Sequence, residues 1–243
     1  MLQTDPVQPI SPFKCHNCNN NQLSTETDKP NLKGFFDQFD QTLIILEDYL
    51  FFIQYIFDTC SAFLFQINAE FMRITTVPLE TKFLAQLDKH MSKLLDVIRS
   101  KGGRVQEQTK RTLQVLDETV DITIRRECIL KSLMIYLGEP VHHLIKEYQE
   151  NEADELEQAT MAIVVSGQED IKIVIDGIEV LKEVPTTAAA VAMFFGLTYT
   201  LKLKYPKNLQ HTLEFVQKVL MELGGKNMSP KVHRLSTLLY NPE

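Results

Sequence analysis

Cys15-His16-Asn17-Cys18 is the first place in the chain where residue type and spacing could do chemistry. Two intervening residues let both thiolates reach one tetrahedral zinc ion. This is half of a site. A finger of the two-cysteine, two-histidine kind places its histidines roughly a dozen residues further on, whereas the next histidine after His16 is His90 and the next cysteine after Cys18 is Cys60. The expectation is an unmetallated polar tail. An incomplete or intermolecular zinc site at Cys15 and Cys18 is the alternative and a redox dithiol the third reading, although a redox pair needs a following helix in a βαβ unit. Further along, His143 and Glu147 stand at i and i+4, where two ligands share a helix face. They lack the HExxH order and a second ligand pair, so they read as helix surface.

The stretch Arg99–Arg111 sets five bases, Arg99, Lys101, Arg104, Lys110 and Arg111, against one acid, Glu107. A loop between two helices could offer these to phosphate or to an acidic partner. No aromatic residue interleaves them, which removes the base stacking that single-strand binders use. The expectation is a solvated face, with an anion or nucleic-acid patch as the alternative. Gly102-Gly103 and Gly224-Gly225 lack the GxGxxG or GxxxxGK surroundings of a phosphate loop. No GxSxG elbow or family-type Cys/His signature is present either. The sequence therefore predicts no enzyme and no cofactor, with zinc at Cys15 and Cys18 as the alternative.

The elements that must position these residues follow from hydrophobic period. Residues 1–34 hold four prolines and few apolar side chains, which predicts a flexible polar tail. From Phe35 the text turns apolar and aromatic, and residues 35–71 read as an apolar helix. Within it, Tyr49–Ile67 has to be weighed as a membrane span. Ten Leu, Ile and Phe residues there contribute roughly −3 to −6 kcal/mol to insertion, while Asp58 alone costs roughly +2.5 to +3.5. Glu47 and Asp48 trim the stretch to about the minimum spanning length. A core helix is expected, and membrane association through 49–67 is the alternative.

Residues 72–243 read as a helical domain with a small β-hairpin. Phe83, Leu87, Met91, Leu94, Leu95 and Ile98 recur at helical spacing up to Gly102-Gly103. Further helices are predicted over Gln106–Leu116, Ile122–Leu137 and, briefly, His142–Gln149. Met161–Val165 reads as β, and Asp176-Gly177 between two β-branched runs is a strong hairpin signal near 171–181. Helices over Thr186–Lys204 and Pro206–Leu223 follow, and Ser229-Pro230 suits the cap and first turn of a last one ending near Leu239. The fold class predicted is mainly α.

Composition fits that reading and narrows function. The chain has 243 residues, 44% hydrophobic and 23% charged, with a net charge of −7. The acidic surplus is concentrated before Cys60, and no segment has a large basic surplus, which disfavours a general nucleic-acid coat. Residues 1–12 lack both the charged start and the apolar centre of a secretory signal. Four cysteines, Cys15, Cys18, Cys60 and Cys128, are too few for a disulfide scaffold. An intracellular protein, cytoplasmic or nuclear, is expected.

Several phrases carry a resemblance: RITTVPLETKFLAQLDKH from Arg73, RRECILKSLMIYLGE from Arg125, IVIDGIEVL from Ile173, FGLTYTLKLKYPKNLQHTLEFVQKVLMEL from Phe195, and SPKVHRL from Ser229. This text, from about Met72 to Leu239, resembles uncharacterised fish proteins similar to sterile alpha motif domain-containing protein 3. The resemblance implies the shared C-terminal region alone, with no room for a sterile alpha motif domain ahead of it, and brings no catalytic motif to transfer. It also implies an atypical N-terminal exon for Phe35–Phe71. The expectation is a non-catalytic protein-interaction module with a protein partner, against a nucleic-acid-associated regulator using Cys15, Cys18 and the 99–111 bases, or a membrane-anchored protein.

Overall fold

Helix α1 spans Cys60–Thr75, α2 Leu79–Ser100, α3 Gly103–Glu118 and α4 Ile122–Tyr136. A 3-10 turn at Val141–His143 leads into strand β1, Ile145–Tyr148. Strands β2 (Met161–Ser166), β3 (Asp170–Ile175) and β4 (Ile178–Leu181) follow. Then come α5 (Thr187–Thr200), α6 (Gln210–Phe215) continuing into a π-helical turn at Val216–Leu220, and α7 (Pro230–Tyr240). This computed structural model describes residues 60–148, 161–166, 170–175, 178–224 and 227–240, and it is mostly helical with one small sheet. Cys15, Cys18 and residues 49–59 lie outside the described residues.

The core forms around α5. Its sequence, TAAAVAMFFGLTYT, has no charged residue, and every residue from Thr187 to Thr198 is buried. A helix apolar on all sides is stable only when surrounded. Helices α1, α2 and α4 and the inner face of the sheet surround it. Thr186 starts the helix by accepting a hydrogen bond from the Ala189 amide at 3.1 Å. Gly196 allows the closest approach, since a Cβ there would lie 2.3 Å from Leu79 Cδ2.

Helix α2 presents the expected stripe: Phe83, Leu87, Met91, Leu94 and Ile98 are all buried. Two further residues share that side. Leu79 is one, and His90 the other, its ring edge-on to Tyr240 of α7 at 5.3 Å. Helix α4 is gripped on two sides, with Cys128, Ile129, Leu130, Leu133 and Met134 buried. Arg126 on its outer side makes a bidentate pair with Asp88 of α2, at 2.9 and 2.6 Å.

In the sheet, ordered β1-β2-β3-β4, β1 runs parallel to β2 and the other pairs are antiparallel. Ile163 faces Ile173 on the side of α5, while Ala162 and Val174 pair on the opposite side and form, with Val164, a separate buried apolar cluster. Ile175 opposite Ile178 in register leaves a two-residue connection, Asp176-Gly177, as the hairpin signal requires.

Three sequence expectations are corrected. His142–Gln149 is not a helix, because β1 pairs with β2 and the Leu144 carbonyl accepts from the Ile163 amide at 2.7 Å; long-range pairing overrides local helical content. The helix predicted from Pro206 begins at Gln210, since the Leu209 amide closes a turn on the Pro206 carbonyl at 2.9 Å. The domain does not begin at Met72: α1 crosses that residue without a break, and Ile67 and Phe71 are part of the same core.

Glu139 explains where α6 starts. It is 4% exposed, between Gly138 and Pro140, and its two oxygens accept the His211 and Thr212 amides at 2.7 and 2.9 Å. One carboxylate thus satisfies two of the donors that every helix start leaves unpaired. Replacing Glu139 with Ala should cost about 3 kcal/mol of unfolding free energy, since hydrogen bonds to charged groups contribute about 1.5–3 kcal/mol each. Glu139→Gln, which keeps one carbonyl acceptor, should cost less; denaturant titration of the three proteins checks the order.

His90 gives a pH dependence. Burial holds its imidazole below the usual pKa, and Lys89 acts in the same direction against the opposing pull of Glu222. Its Nε2 is buried and has no hydrogen-bond partner among the described residues. A histidine whose folded pKa is depressed contributes stability that is present above its unfolded pKa of about 6.5 and is lost as pH falls through the lower folded value. Thermal midpoints should therefore drop on acidification from roughly pH 7 toward pH 5, and His90→Gln should flatten that drop.

Candidate protein-binding surface

The α3–α4 corner is built from capping residues. Asp121 ends the connection and starts α4, its carboxylate accepting the Thr123 amide at 2.7 Å. The Thr119 hydroxyl accepts the Asp121 amide at 3.2 Å. Arg125 reaches back from α4, and its Nη1 donates to the Leu116 and Thr119 carbonyls at 3.0 and 3.3 Å. A cation at a helix C-terminus satisfies bare carbonyls and complements the helix dipole. The connection of α3 to α4 is therefore held by side chains from both helices.

This fixed corner exposes apolar side chains. Val120 is 98% exposed, and Val115, Ile122 and Ile124 are each more than two-fifths exposed. All four are β-branched and stiff, so a partner ordering them loses little rotamer entropy. Acids lie among them in the chain: Asp117, Glu118 and Asp121.

A groove of about 670 Å³ runs beside α3 from Gly103 to Glu118 and ends at this corner. Ile98 and Leu113 are its apolar lining. Arg99, Glu107, Lys110, Asp117 and Glu118 are the charged part. The Arg99–Asp117 ion pair ties the end of α2 to the end of α3 across it.

The structure disperses the five bases of 99–111. Arg99 is committed to Asp117, and the Lys101 ammonium sits over the Tyr136 ring at 5.5 Å. Arg104, Lys110 and Arg111 are exposed on α3 and have no ion-pair partner among the described residues. Lys110 lines the groove, but Arg104 and Arg111, seven residues apart, share a different side of the helix. Acids outnumber bases along the groove, since Glu107, Asp117 and Glu118 face Arg99 and Lys110.

The histidine–carboxylate pairing at 143 and 147 is not brought together on a helix. His143 belongs to the 3-10 turn, its ring edge-on to His142 at 4.6 Å, and Glu147 pairs with Lys131 at 2.6 Å from β1. Lys131 is held between Glu127 and Glu147; burial opposes its charge, yet the two carboxylates raise its pKa. Among the described residues no cluster of three or more His, Cys, Asp or Glu side chains could hold a metal ion. Cys128 is buried with its thiol pKa pushed up, foremost by burial, which suppresses the nucleophilic thiolate.

One further polar cluster joins α6 to α7. Ser229 Oγ lies 3.3 Å from His211 Nδ1, and the Ser229 amide donates to Glu214 at 2.7 Å. Although Ser229 starts α7 through its carbonyl, which accepts the His233 amide at 2.9 Å, its hydroxyl is turned to His211. The arrangement fastens the two helices.

Sequence reasoning singled out the bases of 99–111 and passed over the corner beside them. The available signal was Val120-Asp121-Ile122-Thr123-Ile124, three β-branched apolar residues across a helix cap, where polar residues ordinarily stand. Arg125→Ala should speed amide hydrogen exchange across residues 119–124 and lower stability by about 1 kcal/mol, because the α3 carbonyls lose a charged donor.

No family model, curated protein sequence or solved structure matches the chain.

Proposed function

We propose that the chain is a non-catalytic protein-interaction module that binds a partner segment with an apolar centre and basic flanks at the α3–α4 corner. The observation that carries this reading is the rigidly capped corner itself, with fully exposed Val120 and its three β-branched neighbours standing among Asp117, Glu118 and Asp121. Stiff apolar anchors surrounded by charge are the usual composition of a small protein interface, in which the apolar centre supplies affinity and the rim orients the encounter. The groove beside α3 extends the same surface with Ile98 and Leu113 below and an acidic surplus along its length.

A photo-crosslinking residue at position 115 of the full chain tests this. A defined protein should be captured through a segment carrying Lys or Arg around apolar residues, and capture should fall at least tenfold in Val120→Asp/Ile124→Asp. Unchanged capture in that variant overturns the reading.

The unpaired bases Arg104, Lys110 and Arg111 favour a second reading, nucleic-acid association. It requires salt-dependent retention of DNA or RNA that is lost when those three residues are neutralised. Absence of retention in the unmodified chain overturns it.

A further inference from the structure

A segment with apolar residues among basic ones exists in this chain itself. From Val184 to Leu213 there is no Asp or Glu, and Lys202, Lys204, Lys207 and His211 fall within that stretch. The three lysines are exposed, and none has an ion-pair partner among the described residues. Leu203, half-buried, stands between Lys202 and Lys204.

The backbone of this loop is fixed. Helix α5 closes with the Lys202 amide donating to the Tyr199 carbonyl at 3.2 Å and the Leu203 amide to the Thr198 carbonyl at 2.9 Å. Glycine is the usual left-handed residue of such a helix stop. Lys202 holds the position here, at φ +52°. The Tyr205 hydroxyl then donates to Gln217 Oε1 at 3.0 Å, tying the loop to the π-helical turn. Helix α1 runs in the same chain direction as α5, with Asn68 beside Met193 and the Phe71 ring 5.4 Å from that of Tyr199. Both helices therefore end together, and the exposed Met72 and Ile74 in the last turn of α1 stand at the same end of the bundle as Lys202.

The α3–α4 corner belongs to the other end of α5. Thr187 at the head of α5 donates to Glu127 at 2.8 Å, just over a turn into α4. The fourteen residues of α5 put about 20 Å between that head and the loop. A chain thus carries the acidic apolar surface and the basic apolar one apart from each other. At the corner, the Glu118 carboxylate accepts from the Gln114 amide and that of Asp121 from the Thr123 amide, at 2.9 and 2.7 Å. Both donors are neutral, so these two negative charges are left without an ion pair among the described residues.

We propose that the partner at the α3–α4 corner is a second copy of this chain, whose 202–207 loop seats Leu203 on the exposed Val120, Ile122 and Ile124 with Lys202 and Lys204 toward Glu118 and Asp121. The inference rests on the reading of the corner as a protein-binding surface. Opposite charge around an apolar contact fixes which surfaces meet. Because the two surfaces differ, the contact is head to tail: each copy keeps one corner or one loop open to the next, and the assembly grows as a string or closes as a ring.

Sedimentation equilibrium of the full chain tests this. The mass should rise with concentration above the 28.0 kDa of one chain, and added salt should loosen the association by screening its charges. Val120→Asp/Ile124→Asp spoils the corner alone and Lys202→Glu/Lys204→Glu the loop alone, so each variant by itself should stay a single chain with its helical circular dichroism retained. Mixed in equal amounts they should form a pair and nothing larger, since one sound corner and one sound loop remain. Should the charge reversals disturb folding, Lys202→Gln/Lys204→Gln should raise the dissociation constant at least tenfold. A single-chain mass for the unmodified protein at every concentration overturns the proposal, and so does a mixture that fails to pair or variants that still associate alone. Loss of binding to phosphatidylserine vesicles in the loop variant, with its mass distribution unchanged, overturns it in favour of a lipid surface. If the chain stays single while position 115 still captures a different protein through the corner, only the identity of the partner falls; if nothing is captured, the reading of the corner falls with it.

Discussion

The complete burial of α5 is the constraint on which the rest of the fold depends. A fourteen-residue helix without a charge has no side to give to water, so the elements packed around it must present it with apolar faces. The α1 seam, the α2 stripe, the inward residues of α4 and the α5-facing isoleucines of β2 and β3 are four answers to that demand. Gly196 shows how close the answer has to be: the Leu79 side chain occupies the volume a Cβ would need. At native packing density such a gap is filled from one side or the other, never both.

What lies outside that core is fastened by a few polar contacts reaching far along the chain. Glu139 holds the start of α6 across seventy-two residues, Arg126 ties α4 to Asp88 of α2, and Thr187 at the head of α5 donates to Glu127 of α4. These contacts fix helix ends, where backbone groups are unpaired, and the core is left to fill space. The same division operates at the α3–α4 corner. Capping by Asp121 and Arg125 holds the backbone there, which frees Val115, Val120, Ile122 and Ile124 from any structural duty in the described core.

The helices were legible where one face is buried and the other wet. The stripe of α2 and the Gly102-Gly103 stop could be read directly, and Asp-Gly marked the β3–β4 hairpin because its turn chemistry is local. Strand β1 was not legible: Leu144-Ile145-Lys146-Glu147 has a helical composition, and only pairing with β2, distant in sequence, makes it extended. The all-round burial of α5 could not be found from period, since a helix apolar on every side has none. At the surface, counting charges in 99–111 found the right region but joined bases that α3 points to different sides. The exposed corner residues escaped notice because β-branched apolar side chains are read as core by default.

The central position of α5 also dictates when this protein can fold during its synthesis. Helices α1 to α4 leave the ribosome first, and the helix that all but α3 pack against follows α4 only after a fifty-residue interval that includes the whole sheet. Until then their apolar faces have no native cover, and contacts of such sequence separation form slowly. Nascent chains of this kind should therefore depend on chaperones for the interval between the emergence of Tyr136 and that of Thr200.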